Sequence, residues 1–168
     1  RHILNTSGIS NYPQAQFDMV RLGIGLYGIS NDATEQKFLE NVGTLKSVIS
    51  QIRTIQAGES VGYGRRFMAE KETRIATIPI GYADGIRRSW GNGLGFVFIN
   101  NQKATIVGSV CMDMLMVDIT DIPCVEGNEV IILGENPSVT FMANQLNTIP
   151  YEILTGISQR VKRIFYRE

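Results

Sequence analysis

Short apolar runs separated by turn signals recur along most of this chain, and they limit the folds that it can adopt. From residue 44 onward the runs are rich in β-branched residues and end at Gly, Pro or Asn clusters. The predicted strands lie near residues 48–55, 73–80, 96–99, 104–107, 114–119 and 129–133. Many short strands at regular spacing predict a mainly β fold, a β-barrel or sandwich, over residues 42–168.

Two short helices and a last strand are predicted near the carboxyl terminus. Val139, Met142 and Leu146 recur with helical spacing after Ser138, a suitable N-cap. Pro150 precedes a second helix over 151–157, at the position where a helix tolerates proline best. Residues 161–166 are predicted to form a final strand. The hairpin of 96–99 and 104–107 is predicted to turn over residues 100–103.

Composition excludes several classes of function. Sixteen basic residues balance sixteen acidic ones, which gives no electrostatic reason to expect nucleic acid or an anionic membrane as a partner. The longest apolar runs are far shorter than a membrane span. His2 is the single histidine, and Cys111 and Cys124 are the two cysteines, so a zinc site and a serine–histidine hydrolase are disfavoured. We interpret the chain as cytoplasmic, with two free thiols, although a disulfide stays open.

The amino-terminal part of the chain differs in character from the rest. Residues 1–5 are predicted to be the end of a strand, and residues 17–28 form an apolar segment interrupted by glycines that permit close backbone approach. Residues 30–37 are polar and suit a linker. Because the chain begins at Arg1 without an initiator methionine, we expect it to be the carboxy-terminal piece of a longer protein.

Tyr82 occupies the most suggestive position for chemistry. The predicted strand 73–80 is ended by Gly81, and Asp84-Gly85 is a strong turn signal. Tyr82 is therefore predicted to lie in a turn directly after the end of the strand. A phenol placed in this way can act as a general acid or base. The alternative is a tyrosine that simply packs at the end of the strand.

Five segments in order carry a family resemblance over essentially the whole chain. They are Phe17–Gly28, Val61–Gly64, Ile80–Gly85, Val107–Met114 and Pro150–Leu154. Together they resemble the pyridoxal-phosphate-dependent alanine racemases. That resemblance implies an amino-terminal eight-stranded α/β (TIM-type) barrel, of which residues 1–41 are the remnant, and a carboxy-terminal β-domain over 42–168. It also implies a head-to-tail homodimer.

The resemblance also assigns site residues. It implies that Tyr82 is the catalytic base opposite the cofactor lysine, and that the Met112 N–H helps to hold the substrate carboxylate. Ser109 departs from the family, in which many members have arginine. Tyr63 is interpreted as a packing residue of its Gly-Tyr-Gly turn. The residues implied to bind the cofactor are Arg21, at the pyridine nitrogen, and Thr6 (or the adjacent Ser7), Gly23, Ile24 and Tyr151, at the phosphate.

The cofactor implied is pyridoxal 5'-phosphate, and its lysine lies outside this chain, so the fragment alone is expected to be inactive. The expected function is interconversion of L- and D-alanine, which supplies D-alanine for peptidoglycan, with no metal. Two alternatives stay open. One is a serine or broad-specificity amino-acid racemase of the same fold, and the other is a non-catalytic dimerisation or binding module. The segments 81–85 and 111–114 favour the racemases over the related basic amino-acid decarboxylases.

Overall fold

A computed structural model describes residues 1–30 and 32–166, which separate into two compact units. The division falls between Thr44 and Leu45. We call the first part the amino-terminal unit and the second the β unit. The sequence-based boundary between residues 41 and 42 lies three residues earlier, and as a division of the whole protein into domains it stays a prediction.

The described residues of the amino-terminal unit form short helical turns and loops. Helix α1 is Thr6–Asn11, helix α2 is Ala33–Gln36, and 3₁₀ turns span Pro13–Ala15 and Ile24–Tyr27. The strand predicted over residues 1–5 is wrong, because Asn5 is already the N-cap of α1 and its side chain accepts the Gly8 N–H at 3.0 Å. An Asx cap of this kind competes locally with an extended continuation.

The β unit contains the strands and two further helices. Its strands are β1 Leu45–Val48, β2 Gln51–Ile55, β3 Ser60–Val61, β4 Phe67–Met68, β5 Thr73–Ile78, β6 Phe96–Ile99, β7 Gln102–Val107, β8 Leu115–Asp118 and β9 Glu129–Leu133. Helix α3 is Val139–Gln145 and helix α4 is Pro150–Gly156. Ser138 caps α3 by accepting the Phe141 N–H, and Pro150 occupies the first turn of α4, so both local signals are confirmed.

Seven of these strands form one antiparallel sheet in the order β1-β9-β6-β7-β8-β5-β2. The two edge strands, β1 and β2, are consecutive in the chain and are joined only by Ile49 and Ser50. A link of two residues cannot cross a flat seven-stranded sheet, because strands lie about 4.8 Å apart. The sheet therefore curls until its edges approach, which confirms the predicted mainly β, barrel-like fold.

The core lies against the curled sheet and is made of its alternating apolar side chains. Several of them are completely buried: Ala76, Ile78, Val97, Ile99, Ile106, Leu115, Val117, Val130 and Ile132. Trp90 is also buried and packs beside Phe96 and Phe141. Alternation with a period of two places these residues on one face of each strand.

Pairing of β8 with both of its neighbours determines where the loops of the β unit meet. Ile78 of β5 lies opposite Leu115, and Val107 of β7 lies opposite Met116. The end of β5, the end of β7 and the start of β8 are thus at the same end of the sheet. The turn that follows β5 and the β7–β8 loop, residues 108–114, are neighbours for this reason.

Two other local predictions are wrong. The β6–β7 hairpin turns on Asn100 and Asn101 alone, since Ile99 pairs with Gln102 and both asparagines have positive φ. Asparagine tolerates that backbone region, and two such residues form the tight turn that suits hairpin twist. Residues 161–166 do not form a strand, because Arg163 binds backbone carbonyls at Ile157, Ser158 and Val161.

We predict that Val117→Ala lowers the free energy of unfolding by about 2 kcal/mol, since it removes two methyl groups from a fully buried site and leaves a cavity. Val125→Ala is the matched control: its side chain is 64% exposed, and its change should stay within about 0.5 kcal/mol. Urea denaturation of the two variants measures the difference. Equal losses would contradict the core assignment.

Candidate active site

The Tyr82 turn, residues 81–85, lies directly against the β7–β8 loop. Tyr82 N–H donates to Cys111 O at 2.9 Å, and Ala83 N–H donates to Met112 O at 3.0 Å. A Cβ on Gly81 would come within 2.3 Å of Cys111 O and 2.4 Å of Met112 O. Glycine is needed at residue 81 because of this close backbone approach.

Asp84 stabilises the same turn from its buried side. Its side chain accepts the Gly81 N–H at 2.8 Å and binds Arg160 through Nε at 2.6 Å and Nη2 at 3.2 Å. Arg160 also reaches Asp113 of the β7–β8 loop, with 2.5 Å between Nη2 and Oδ1. The Arg160 hydrogen bond holds the pKa of Asp84 below its usual 3.8, although burial acts in the opposite direction. The two carboxylates raise the pKa of Arg160 in turn.

The Tyr82 side chain is 42% exposed and lines an open groove of about 420 Å³. Arg87 and Glu152, which form an ion pair, contribute to the other walls. Glu152 also accepts a hydrogen bond from Thr148. The phenol is therefore accessible from solvent and is not part of the core, and its role as a base stays a prediction.

Met112 presents an unpaired backbone donor beside Tyr82. Within residues 1–30 and 32–166, its N–H has no hydrogen-bond acceptor, and its side chain is 53% exposed. The next residue, Asp113, is fixed by Arg160. An N–H without an acceptor among the described residues suits an anionic group such as a carboxylate.

The environment of Tyr63 differs from the one that the sequence predicted. It is 77% exposed, so the interpretation as a packing residue is wrong. Its turn lies between β3 and β4, and Gly62 and Gly64 on either side have φ of 74° and 68°. A Cβ on Gly62 would lie 3.1 Å from Met116 Cε and 3.7 Å from Ser109 N. The Tyr63 turn thus borders the β7–β8 loop near Ser109.

Two tyrosine turns consequently contact one loop, and sequence reasoning selected only one of them. The signal for the second was present, because a tyrosine between two glycines at a turn has little to pack against.

Ser109, where many family members have arginine, is buried in this chain. Its carbonyl accepts a hydrogen bond from the Cys111 thiol at 3.6 Å.

The predicted phosphate ligands of the amino-terminal unit meet at the start of α1. Thr6 is buried, and its Oγ1 accepts the Gly23 N–H at 2.9 Å and the Gly25 N–H at 3.4 Å. Its hydroxyl hydrogen has no acceptor among residues 1–30 and 32–166. In the described part of the chain the Ile24 N–H has no acceptor, whereas the Gly23 N–H is used by Thr6.

Arg21 belongs to the same group of residues. Its N–H donates to Leu4 O at 2.9 Å, and its Nη2 donates to Ile3 O at 2.8 Å, which ties the exposed guanidinium to the segment that precedes α1. Tyr151 lies apart from this group in the sequence, on the first turn of α4 in the β unit, and is partly exposed.

No cluster of three or more His, Cys, Asp or Glu side chains suited to a metal occurs among residues 1–30 and 32–166. Cys111 and Cys124 are both free and buried, and burial raises the pKa of the Cys124 thiol. Over the same residues, no helix has the length and apolar character needed to cross a membrane.

Comparisons with known proteins agree on one family. A family model described as "Alanine racemase, C-terminal domain" matches residues 42–165. Alanine racemase 1 of Clostridium acetobutylicum is 42% identical, over 99% of this chain and 45% of its own length. Alanine racemase of Clostridium novyi is 43% identical, over 99% and 45%. The chain therefore spans less than half the length of these curated relatives.

Solved structures give the same result. Alanine racemase from D-cycloserine-producing Streptomyces lavendulae matches with a TM-score of 0.90 and 35% identity, over 100% of this chain and 46% of its own. Alanine racemase from Bartonella henselae, described with covalently bound pyridoxal phosphate, matches with a TM-score of 0.89 and 37% identity, over 98% and 46%.

We predict that Gly81→Ala separates the Tyr82 turn from the β7–β8 loop and costs about 1–3 kcal/mol, because the new Cβ meets backbone oxygens that cannot rotate away. Gly43→Ala is the control, since nothing lies within 4 Å of its Cβ position. Denaturation gives the stability, and hydrogen exchange of the Tyr82 and Ala83 amides gives the separation. Unchanged exchange in Gly81→Ala would contradict this docking.

A second prediction concerns acid stability. The pKa of Asp84 is lower in the folded state than in the unfolded state, so its ionised form stabilises the fold above about pH 4, and that contribution is lost as the pH falls through the folded pKa. We expect the free energy of unfolding to fall more steeply below pH 4 in the wild type than in Asp84→Asn. Denaturant titrations from pH 6 to pH 2 measure both slopes, and parallel curves would refute the assignment.

Proposed function

We propose, because this chain belongs to the alanine racemase family, that the whole protein of which it forms part interconverts L- and D-alanine. The chain corresponds to about 45% of its curated relatives, so this activity is assigned to the full-length protein. The β unit would contribute a proton-transfer group and a substrate contact. The amino-terminal unit would contribute ligands of the cofactor.

The observation that carries the proposal is the arrangement around the β7–β8 loop. An exposed phenol, Tyr82, and an unpaired N–H, Met112, lie on two segments that are hydrogen-bonded to each other. Racemisation requires a proton to leave Cα on one face and another to arrive on the opposite face, so a base on each face suffices. Tyr82 would exchange the proton on one face, and the Met112 N–H would hold the carboxylate that orients Cα.

The donor set of the amino-terminal unit fits pyridoxal 5'-phosphate. The Thr6 hydroxyl and the Ile24 N–H are suited to phosphate oxygens, whereas the Gly23 N–H already donates to Thr6. Tyr151, in the β unit, stays a phosphate contact implied by the family resemblance alone. Arg21, whose guanidinium can only donate, would face the ring nitrogen. When bound, the cofactor withdraws electrons from Cα and makes its proton acidic. The lysine that would hold it is expected to lie outside this chain.

The wider setting is also proposed from the family. We expect the full-length protein to be a cytoplasmic homodimer in which this β unit serves the cofactor of the other subunit. D-alanine made in this way would supply peptidoglycan synthesis. The chain alone, without the lysine, is expected to be inactive.

The observation that favours a second base candidate is the exposure of Tyr63. Its turn contacts the same loop as the Tyr82 turn, and it is 77% exposed, against 42% for Tyr82. A base that acts on a substrate held by another part of the protein must project outward. Tyr63 meets that requirement at least as well as Tyr82, so the experiment compares both residues.

We predict that Tyr82→Phe in the full-length protein lowers kcat at least about 100-fold in both directions, since general acid–base groups contribute on that order. Cofactor absorbance should stay unchanged. Tyr63→Phe is the matched comparison, and the assay uses both alanine enantiomers with pyridoxal phosphate present.

Each other outcome has a definite meaning. A large loss in Tyr63→Phe with a small one in Tyr82→Phe would move the base to Tyr63 and leave the racemase proposal intact. A wild type that turns over serine but not alanine would favour the broad-specificity alternative. A wild type without racemase activity on either amino acid would favour a non-catalytic module.

A further inference from the structure

The hairpin that carries Tyr63 rests on a small group of apolar residues. We call residues 60–68, which are β3, the Tyr63 turn and β4, the Tyr63 hairpin. We propose that Met116 and Gly108, on which this hairpin lies, are positioning residues that fix the Tyr63 phenol. The inference rests on the proposed function, with the second base candidate, Tyr63, as the group that reaches the substrate. It adds two residues that the proposed function does not use.

The Tyr63 side chain does not fix its own position. It is 77% exposed, at the tip of a hairpin whose strands have two residues each. Among residues 1–30 and 32–166, no hydrogen bond joins the Tyr63 hairpin to the seven-stranded sheet. A lone two-stranded hairpin is at best marginally stable in water. Apolar packing beneath the hairpin therefore decides where its tip lies.

That packing comes from a supporting cluster in β5, β7, β8 and the β7–β8 loop. Val61 of β3 and Phe67 of β4 both pack against it. These two residues lie on either side of the Tyr63 turn, so both ends of the turn are held. The four buried members of the supporting cluster are Ile75, Val107, Cys111 and Met116.

Met116 and Gly108 approach the hairpin closely from below. A Cβ on Gly62 would lie 3.1 Å from Met116 Cε, so the end of the Met116 side chain lies beneath the residue that precedes Tyr63. A Cβ on Gly108 would lie 3.0 Å from Val61 O. Met116 thus supports the turn with its side chain, and Gly108 leaves space for the hairpin backbone.

The same two residues relate the hairpin to the proposed substrate contact. Gly108 is the first residue of the β7–β8 loop, and Met116 lies in β8 directly after it. The Met112 N–H lies in that loop. A hairpin that moves relative to Gly108 and Met116 therefore changes the distance between the Tyr63 phenol and the Met112 N–H.

Val117 is the matched control for Met116. Both residues are buried in β8, but successive side chains of a strand point to opposite faces, and Val117 does not belong to the supporting cluster. Truncation of Val117 lowers stability without removing a contact of the hairpin. A purely stabilising role of Met116 would give both truncations the same effect on activity.

Gly93 is the matched control for Gly108. Gly93 has a φ of 85° and Gly108 a φ of 64°, so alanine at either position adopts a backbone conformation that favours glycine. Nothing lies within 4 Å of a Cβ on Gly93. The two alanine variants therefore share backbone strain and differ in the contact with the hairpin.

The experiment uses the full-length protein with bound cofactor, assayed well below the Tm of each variant. We expect Met116→Ala and Gly108→Ala to lower kcat about 10- to 100-fold in both directions, with KM for alanine changed less than about threefold, because a displacement of about 1 Å at a reacting group can cost about 100-fold in rate. Met116→Leu should recover most of kcat, since leucine has a similar volume. Val117→Ala and Gly93→Ala should stay within about threefold of the wild type, since neither displaces a reacting group.

A second readout does not depend on activity. Hydrogen exchange of peptides covering residues 58–69 should be faster in Met116→Ala and Gly108→Ala. It should be unchanged in Val117→Ala and Gly93→Ala, because local opening of a hairpin does not require global unfolding.

Wild-type kcat in either Met116→Ala or Gly108→Ala would overturn the inference, and so would equal losses of kcat in Met116→Ala and Val117→Ala. Wild-type kcat in Tyr63→Phe would also overturn it, because the hairpin would then position no reacting group. A wild type without racemase activity would refute the proposed function. The exchange data would then still decide whether the supporting cluster holds the Tyr63 hairpin.

Discussion

Pairing of β8 with both β5 and β7 is the constraint on which the rest of the candidate site depends. It places the end of β5, the end of β7 and the start of β8 at one end of a curled sheet. The Tyr82 turn and the β7–β8 loop must then share a small space. Gly81 allows the two backbones to come into contact, and hydrogen bonds from the Tyr82 and Ala83 N–H groups fix the position of the turn relative to the loop. The position of the candidate site is thus a consequence of strand register.

Much of the fold could be predicted from local sequence. Runs of β-branched residues predicted most strands, Ser138 predicted the start of α3, and Pro150 predicted the start of α4, because each signal acts within a few residues. The short strands β3 and β4 were missed, and the segment 48–55 is divided between β1 and β2. The prediction of a strand over 161–166 was wrong because the Arg163 side chain binds nearby backbone carbonyls. A pattern of apolar residues does not indicate such side-chain hydrogen bonds. The proposed roles of Tyr82, Arg21 and Met112 rest on family resemblance, since no local pattern distinguishes a base from a packed tyrosine.

The parts of the site that escaped prediction are those formed across long sequence separations. Asp84 and Arg160 are 76 residues apart, and nothing near either one indicates the other. The exposure of Tyr63 likewise depends on where β3 and β4 lie, although its flanking glycines were a usable clue. Asp84 was recognised only as a turn residue, yet in the structure it also accepts the guanidinium that reaches the neighbouring loop. One side chain can therefore stabilise a local turn and also bind a residue that is distant in the sequence.

The two buried thiols have a practical consequence. Cys111 lies in the loop between the two tyrosine turns, whereas Cys124 lies between β8 and β9, near the side chain of Arg74, which donates to its carbonyl at 3.4 Å. A thiol reagent can reach a buried sulfur only when the surrounding structure opens, and the higher pKa of Cys124 further slows its alkylation. The rate at which Cys111 is alkylated would thus report opening of the β7–β8 loop, and the rate for Cys124 would report opening of the segment between β8 and β9.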